Sequence, residues 1–351
     1  GGSGTDTANI NIKNGYADPS SIGTEVVNFT VTAGDDVTLT DQNTTTTTAL
    51  NIKGGNSIST FTTDTDGVRN ELKTFNSTDF LGNVVLKVTK NIIDDTIVFT
   101  GGAHAKDEIE YEIDASGTDK LYSSGVEILD LLISEDSTLD LSNATGVKTI
   151  DVNVIAAKTA TITKLTGSEL ILITDGSADS DVSPALADAT GSADTLTFEV
   201  KDGGSDIVAG LDLNTSDIET VTIKASTAES LDLSGLAMST SGEVMTLKVT
   251  GSKALTVSAL NADVTTIDAS GMTEGGSIIQ TGRSSTAAAA YTGSVGNDTF
   301  IMTKVNDVIA AGGQAASGGD TLDVNYAAVI GGINVDLSST GDQITSLDGT
   351  A

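Results

Sequence analysis

The nine residues Gly293-Ser294-Val295-Gly296-Asn297-Asp298-Thr299-Phe300-Ile301 carry the most specific chemistry in the chain. Glycine reaches positive φ without steric penalty, so Gly293 and Gly296 allow a turn whose carbonyl oxygens point inward. Asn297 and Asp298 close the turn with polar and charged oxygens, and the apolar Phe300 then enters an interior. Two such turns stacked together enclose a cage of hard oxygen ligands. Calcium, which takes about 6–8 oxygens, is the ion of that size and hardness.

The nine residues follow the calcium β-roll pattern G-G-x-G-x-D-x-U-x, with Ser294 in place of the second glycine. A degenerate copy runs through Asp94-Asp95-Thr96-Ile97, which aligns with Asp298-Thr299-Phe300. Each copy is followed by glycines and then by a strand that opens on an aspartate, Asp107 or Asp320. Two loops also match one another, Asp114-Ala115-Ser116-Gly117-Thr118-Asp119 and Asp202-Gly203-Gly204-Ser205-Asp206. Both place two carboxylates around glycine. The candidate calcium ligands are therefore Gly293, Gly296, Asn297 and Asp298, with Asp94, Asp95, Asp107, Asp114, Asp119, Asp194, Asp202, Asp206, Asp307 and Asp320. Asp-Gly clusters are also ordinary turn chemistry, which is the competing reading of each one.

Charge points the same way. Forty-nine acidic residues against 17 basic ones leave a formal net charge of −32. Such a surface repels nucleic acid and anionic membranes, and it opposes its own compaction unless cations sit among the carboxylates. The absence of cysteine removes disulfides, thiolate zinc sites and thiol catalysis. The single histidine, His104, excludes any site needing two and is expected at the surface. Aromatics make up 3% of the chain with no Trp, so a core of large rings is not expected, nor is a sugar-stacking enzyme site. No enzymatic activity is expected. Yet 38% hydrophobic residues is too many for a disordered polypeptide.

The elements that must position these groups are short strands. Period-2 alternation recurs, as in Ala8-Asn9-Ile10-Asn11-Ile12 and Thr220-Val221-Thr222-Ile223. Helical signal is confined to residues 67–75, 183–189 and 287–290. Two phrases repeat. One contains a glutamate, at Glu25-Val26-Val27, Glu127-Ile128-Leu129 and Glu219-Thr220-Val221, and 12 residues later a second strand begins at Val37, Leu139 and Leu231. The other opens on an aspartate, at Asp6-Thr7, Asp107-Glu108, Asp194-Thr195 and Asp320-Thr321. These phrases divide the chain into 5–105, 106–192, 193–318 (with the calcium-type turn) and 319–351, the last truncated. Residues 1–4 read as a cloning scar with no signal peptide after it. The expected fold is all-β, an elongated parallel β-solenoid or β-roll whose coils bury their apolar faces by stacking. The alternative is a row of antiparallel β-sandwich domains, which hairpins at Asn14-Gly15, Asp66-Gly67 or Asp175-Gly176 would favour.

In its last third the chain resembles the S-layer proteins that Gram-negative bacteria export by type I secretion, of the Caulobacter and Campylobacter fetus kind. The likeness lies in Lys248-Val249-Thr250-Gly251-Ser252-Lys253-Ala254-Leu255-Thr256-Val257, then Val264-Thr265-Thr266-Ile267-Asp268-Ala269-Ser270-Gly271, leading into 293–301. The resemblance implies a structural protein at the bacterial cell surface, exported without an N-terminal signal peptide. It further implies folding stabilised by Ca²⁺ and self-assembly with copies of itself into a lattice. Attachment to lipopolysaccharide would come through parts outside this chain. The stalk or binding module of a large calcium-dependent adhesin is the alternative, and a β-helix polysaccharide-active enzyme a weaker one.

Overall fold

In a computed structural model the chain is described at residues 5–13, 15–17, 24–39, 47–63, 72–89, 97–113, 116–155, 157–176, 180–201, 211–240, 242–273, 275–281, 283, 288–302, 307–310, 312, 319–324 and 344–348. Most strands pair not with the next strand but with one two or three further on, and every described pairing is parallel. Thr7 lies opposite Val26 and Val26 opposite Ala49, one coil of 19 and then of 23 residues. The protein is a parallel β-solenoid. No hairpin occurs among the described pairings, which sets aside the sandwich alternative.

Backbone contacts divide the chain into two compact units, Gly1–Asn153 with Ala160–Lys164, and Val154–Thr159 with Leu165–Ala351. In the first unit one sheet stacks Thr7–Ile12, Val26–Val31, Ala49–Gly54, Thr74–Phe80, Val98–Thr100, Gly117–Ser124 and Ser137–Thr145. Its companion sheet stacks the intervening strands, among them Val37–Leu39, Thr60–Thr63, Asn83–Thr89, Glu108–Ile113 and Ile128–Ile133. The second unit repeats the arrangement. One of its sheets runs through Asp181–Leu186, Leu211–Leu213, Glu229–Leu233, Ala254–Leu260, Ser277–Gln280, Thr299–Met302 and Asp320–Val324. The other runs through Thr195–Val200, Thr220–Ala225, Met245–Gly251, Val264–Met272, Ala290–Thr292 and Val308–Ala310.

The 12-residue offset after each glutamate is thus the step from one sheet to the other within a coil. Alternation decides what faces in: Val27, Phe29 and Val31 are buried on one strand, Leu129, Leu131 and Ile133 on another. In register these make ladders, for example Leu196, Val221, Leu247 and Ile267. Aliphatic residues dominate, but all seven phenylalanines are fully buried. In the first unit Phe61 sits 6.2 Å from Phe29, 6.2 Å from Phe75 and 6.4 Å from Phe80 between ring centroids. A local aromatic core therefore exists where few rings were expected, because stacking gathers residues far apart in sequence.

The described parts of the three expected helices are extended. Phe75 lies in Thr74–Phe80 and Ser183 in Asp181–Leu186, while Ala290 opens Ala290–Thr292. Residues 67–71 and 287 lie outside the described residues. Pro184 is buried within its strand, and pairing to Leu211–Leu213 covers only Asp181 and Val182. Proline has no N–H to offer the ladder beyond them. The strand nevertheless runs on through Pro184 to Leu186. Phe61→Ala should cost about 3–5 kcal/mol, because three neighbouring rings lose their partner and the site is closed. Urea unfolding followed by far-UV circular dichroism measures it.

Candidate metal centre: the corner carboxylates

Where the chain passes from one sheet to the other it turns a corner, and some backbone amides there find no carbonyl partner. Aspartates supply the acceptor instead. Asp298, 1% exposed, precedes Thr299–Met302 at the end of the nine-residue turn. Its Oδ1 accepts the Ile278 N–H of the preceding coil at 2.7 Å, and its Oδ2 accepts the Ser294 N–H at 2.6 Å. Ser294 Oγ lies 2.9 Å from Oδ1 and 3.1 Å from Oδ2, and itself accepts the Gly296 N–H at 2.9 Å. Gly296 is required for a reason other than positive φ: a Cβ there would meet the Gly276 carbonyl oxygen of the coil before. Phe300 is buried, as expected.

Asp107 repeats this geometry where no nine-residue pattern exists. It is 1% exposed, with Oδ1 accepting from Val84 N–H at 3.0 Å and Oδ2 from Gly102 N–H at 2.6 Å. His104, expected at the surface, is half-buried in the same turn. Asp320 Oδ1 accepts the Asp298 N–H at 2.9 Å, and Asp307 Oδ1 accepts the Ala289 N–H at 2.8 Å. Asp307 also meets Arg283 at 3.7 Å, both side chains wholly buried, while Arg283 donates to the Val264 carbonyl at 3.1 Å. Asp194 Oδ2 takes the Gly191 N–H at 3.1 Å. Gly293 is buried and Asn297 exposed. Asp119 lies within the strand Gly117–Ser124 opposite Leu139, away from any corner. Asp94, Asp95, Asp114, Asp202 and Asp206 lie outside the described residues.

A carboxylate whose oxygens face N–H groups does not fit a calcium ion. The N–H groups already take up lone pairs on both oxygens, and calcium needs several further oxygens converging on one point. Among the described residues no three acidic or histidine side chains are grouped to hold a metal. Burial pushes the carboxyls of Asp298 and Asp107 above the usual carboxylate range, and the donated amides only partly offset it.

The repeated glutamates belong to the same system, a role that sequence reasoning did not assign. Glu25 Oε2 accepts the Asp6 N–H at 2.8 Å, Glu127 Oε2 the Asp107 N–H at 3.3 Å, and Glu219 Oε2 the Asp194 N–H at 2.8 Å. Each glutamate stands one coil beyond the aspartate it caps. The two repeated phrases are stacked neighbours, and the separation of 19, 20 and 25 residues between them was the signal available in the sequence.

A second set of acids lines the outer faces. In the first unit Lys87, Glu110 and Asp130 stand in register on three adjacent strands, and Lys87 pairs with Glu110 at 2.7 Å. Desolvation and then the charges of Asp130, Glu110 and Asp151 push Glu108 up to about 7. Desolvation and then Asp151 and Glu110 push Asp130 up to about 6. A shallow groove of ≈ 360 Å³ runs beside them. In the second unit Asp181, Asp212 and Asp232 form a like-charged column. Asp181 is held by Thr159 Oγ1 at 3.0 Å and Asn214 Nδ2 at 3.1 Å. Asn9, Asn28, Asn51 and Asn76 are likewise in register, the first three linked by side-chain bonds of 2.8 Å.

A scan of family models and searches of curated proteins and of solved structures return no match to this chain.

Two outcomes follow from this geometry. Glu219→Ala should cost about 1–3 kcal/mol and accelerate hydrogen exchange at the Asp194 amide, since that donor loses its acceptor. Acidification should stabilise the fold. Glu108 and Asp130 bind protons more tightly folded than unfolded, so their contribution is complete below about pH 4 and is lost as pH rises through about 6 and 7. Asp140, held low by the Ser142 N–H, and Asp188, held low by the Thr190 hydroxyl, reverse the trend only in stronger acid. Melting temperature should therefore rise between pH 8 and pH 5, and Glu108→Gln should flatten that slope while raising the value at pH 8. Thermal melts across a buffer series test both.

Proposed function

We propose that the chain is a structural segment of a bacterial cell-surface protein that assembles with copies of itself into an S-layer-like sheet. The observation that carries this reading is the set of outward-facing ladders: the asparagines from Asn9 to Asn76, and the acids at Glu110 and Asp130 and from Asp181 to Asp232. Like groups recur at the strand spacing of roughly 4.8 Å over two to four successive coils, so a second copy meets repeated chemistry along each ladder. Periodic faces suit repetitive contact, whereas a catalytic site concentrates unlike groups at one point.

The acids within each column repel one another, and so do columns on different copies. Millimolar calcium outside the cell bridges them from one copy to the next; where free calcium is scarce, the charge of −32 keeps the chains apart. The ion in this reading acts between outer faces and not inside the coils. Export by a type I route and display at the surface belong to the same proposal.

Negative-stain electron microscopy of the purified chain with calcium, and again after chelation, tests it. Ordered two-dimensional arrays that dissolve in chelator are expected. Dispersed single particles in both conditions would overturn the reading, and isolated fibres would transfer support to an adhesin stalk.

A further inference from the structure

We infer that the turn at 293–301, although written like a calcium-binding turn, is a metal-independent clamp in which Ser294 and backbone amides take the place of the ion. Three observations carry it. First, both oxygens of Asp298 are engaged by donors from two coils, Ile278 N–H at 2.7 Å and Ser294 N–H at 2.6 Å. Second, Ser294 stands where the nine-residue pattern has glycine, and its buried Oγ lies within 3.1 Å of both carboxylate oxygens and 3.0 Å from the Gly276 carbonyl. The hydroxyl thereby fills space that a ligated ion would need and adds a donor on the side where the ion would require an acceptor. Third, Asp107 makes the same two-coil bridge from a loop without the pattern, through Val84 and Gly102. The arrangement therefore recurs in this fold without the pattern and is not a distorted ion site.

The clamp also has a direction. Asp320 caps the Asp298 amide while Asp298 caps that of Ile278, so two carboxylates fix the register of three successive coils. An ion between two turns would join only those two. The role assigned to Ser294 is specific: its main-chain N–H and its hydroxyl together hold the carboxylate against the turn.

This inference concerns how a coil holds its shape, and it stands apart from whether copies assemble. The test is a comparison of wild type and Asp298→Asn, each melted in millimolar calcium and in excess chelator. The variant turns an amide N–H₂ toward a donor that needs an acceptor. Its melting temperature is expected to fall by about 2–10 °C, by the same amount in both conditions. Whatever calcium does elsewhere in the chain cancels in that comparison. A fall seen in calcium and absent in chelator would mean that Asp298 holds an ion, and no fall in either would mean that the clamp holds nothing; each overturns the inference. Should the variant not fold, hydrogen exchange of wild type decides. The Ile278 and Ser294 amides are expected to keep the same protection with and without calcium, and loss of that protection on chelation would overturn the inference.

Discussion

A stack of parallel strands contains no hairpins, so the chain must turn at a corner twice in every coil. The sheets satisfy their own amides; at the corners some amides reach backbone carbonyls, as Gly125 N–H does at Thr145, and others need a side-chain acceptor. A buried amide without an acceptor costs about 1–3 kcal/mol, and the cost recurs with each coil. The corner carboxylates answer this constraint. Asp107 takes amides from Val84 and Gly102, and Asp298 takes them from Ile278 and Ser294. Because one oxygen reaches the preceding coil and the other its own turn, a single side chain closes the corner and sets the height of the next coil. Glu127 above Asp107 and Asp320 above Asp298 extend the same device by one step. The aliphatic ladders then stack in register because the corners hold them there.

Much of this was legible beforehand, and the reason is periodicity. Alternation as in Thr220-Val221-Thr222-Ile223 depends only on the two faces of a strand, and the structure buries Val221 and Ile223 accordingly. The 12-residue offset after Glu25, Glu127 and Glu219 marked the passage between sheets. Alternation within a strand does not show which phrase lies over which; only the spacing between phrases carries that. Asp194 and Glu219 are 25 residues apart, and only the stack makes them partners. The helical expectation at 183–189 failed because the strand Asp181–Leu186, set between two parallel strands with Val182 and Pro184 facing in, outweighed local composition. The Arg283–Asp307 pair was hidden for the same reason, since nothing local announces a guanidinium inside the core.

The acids divide by position into two populations that a composition count cannot separate. Those at corners face amide dipoles and so do not contribute bare repulsion, even though each adds to the formal charge. Those on outer faces stand in register with like neighbours, as Asp181, Asp212 and Asp232 do. Register fixes their separation near the strand spacing, so the repulsion cannot be relieved by spreading apart. Lys87 neutralises one end of the column that includes Glu110 and Asp130, and Glu108 and Asp130 are raised first by desolvation and then by the neighbouring acids. The formal charge therefore acts mainly on the faces, since the corner acids are held by amides.

The buried carboxylates are not, however, simple sources of stability. Desolvation dominates at both Asp298 and Asp107, so the ionised form is less favourable there than in the unfolded chain. An apolar residue of similar size would avoid that cost but would leave two amides without acceptors. A neutral amide side chain would satisfy one amide and oppose the other. Only an ionised carboxylate accepts from two coils at once, so these aspartates serve to select one register among the alternatives that a repetitive aliphatic stack would otherwise tolerate. That selection explains why the aspartate recurs immediately before a strand while the loop leading to it varies, from the Gly101-Gly102 turn to the Ser294 clamp. The loop must only deliver one N–H to the second oxygen, and many sequences can do so.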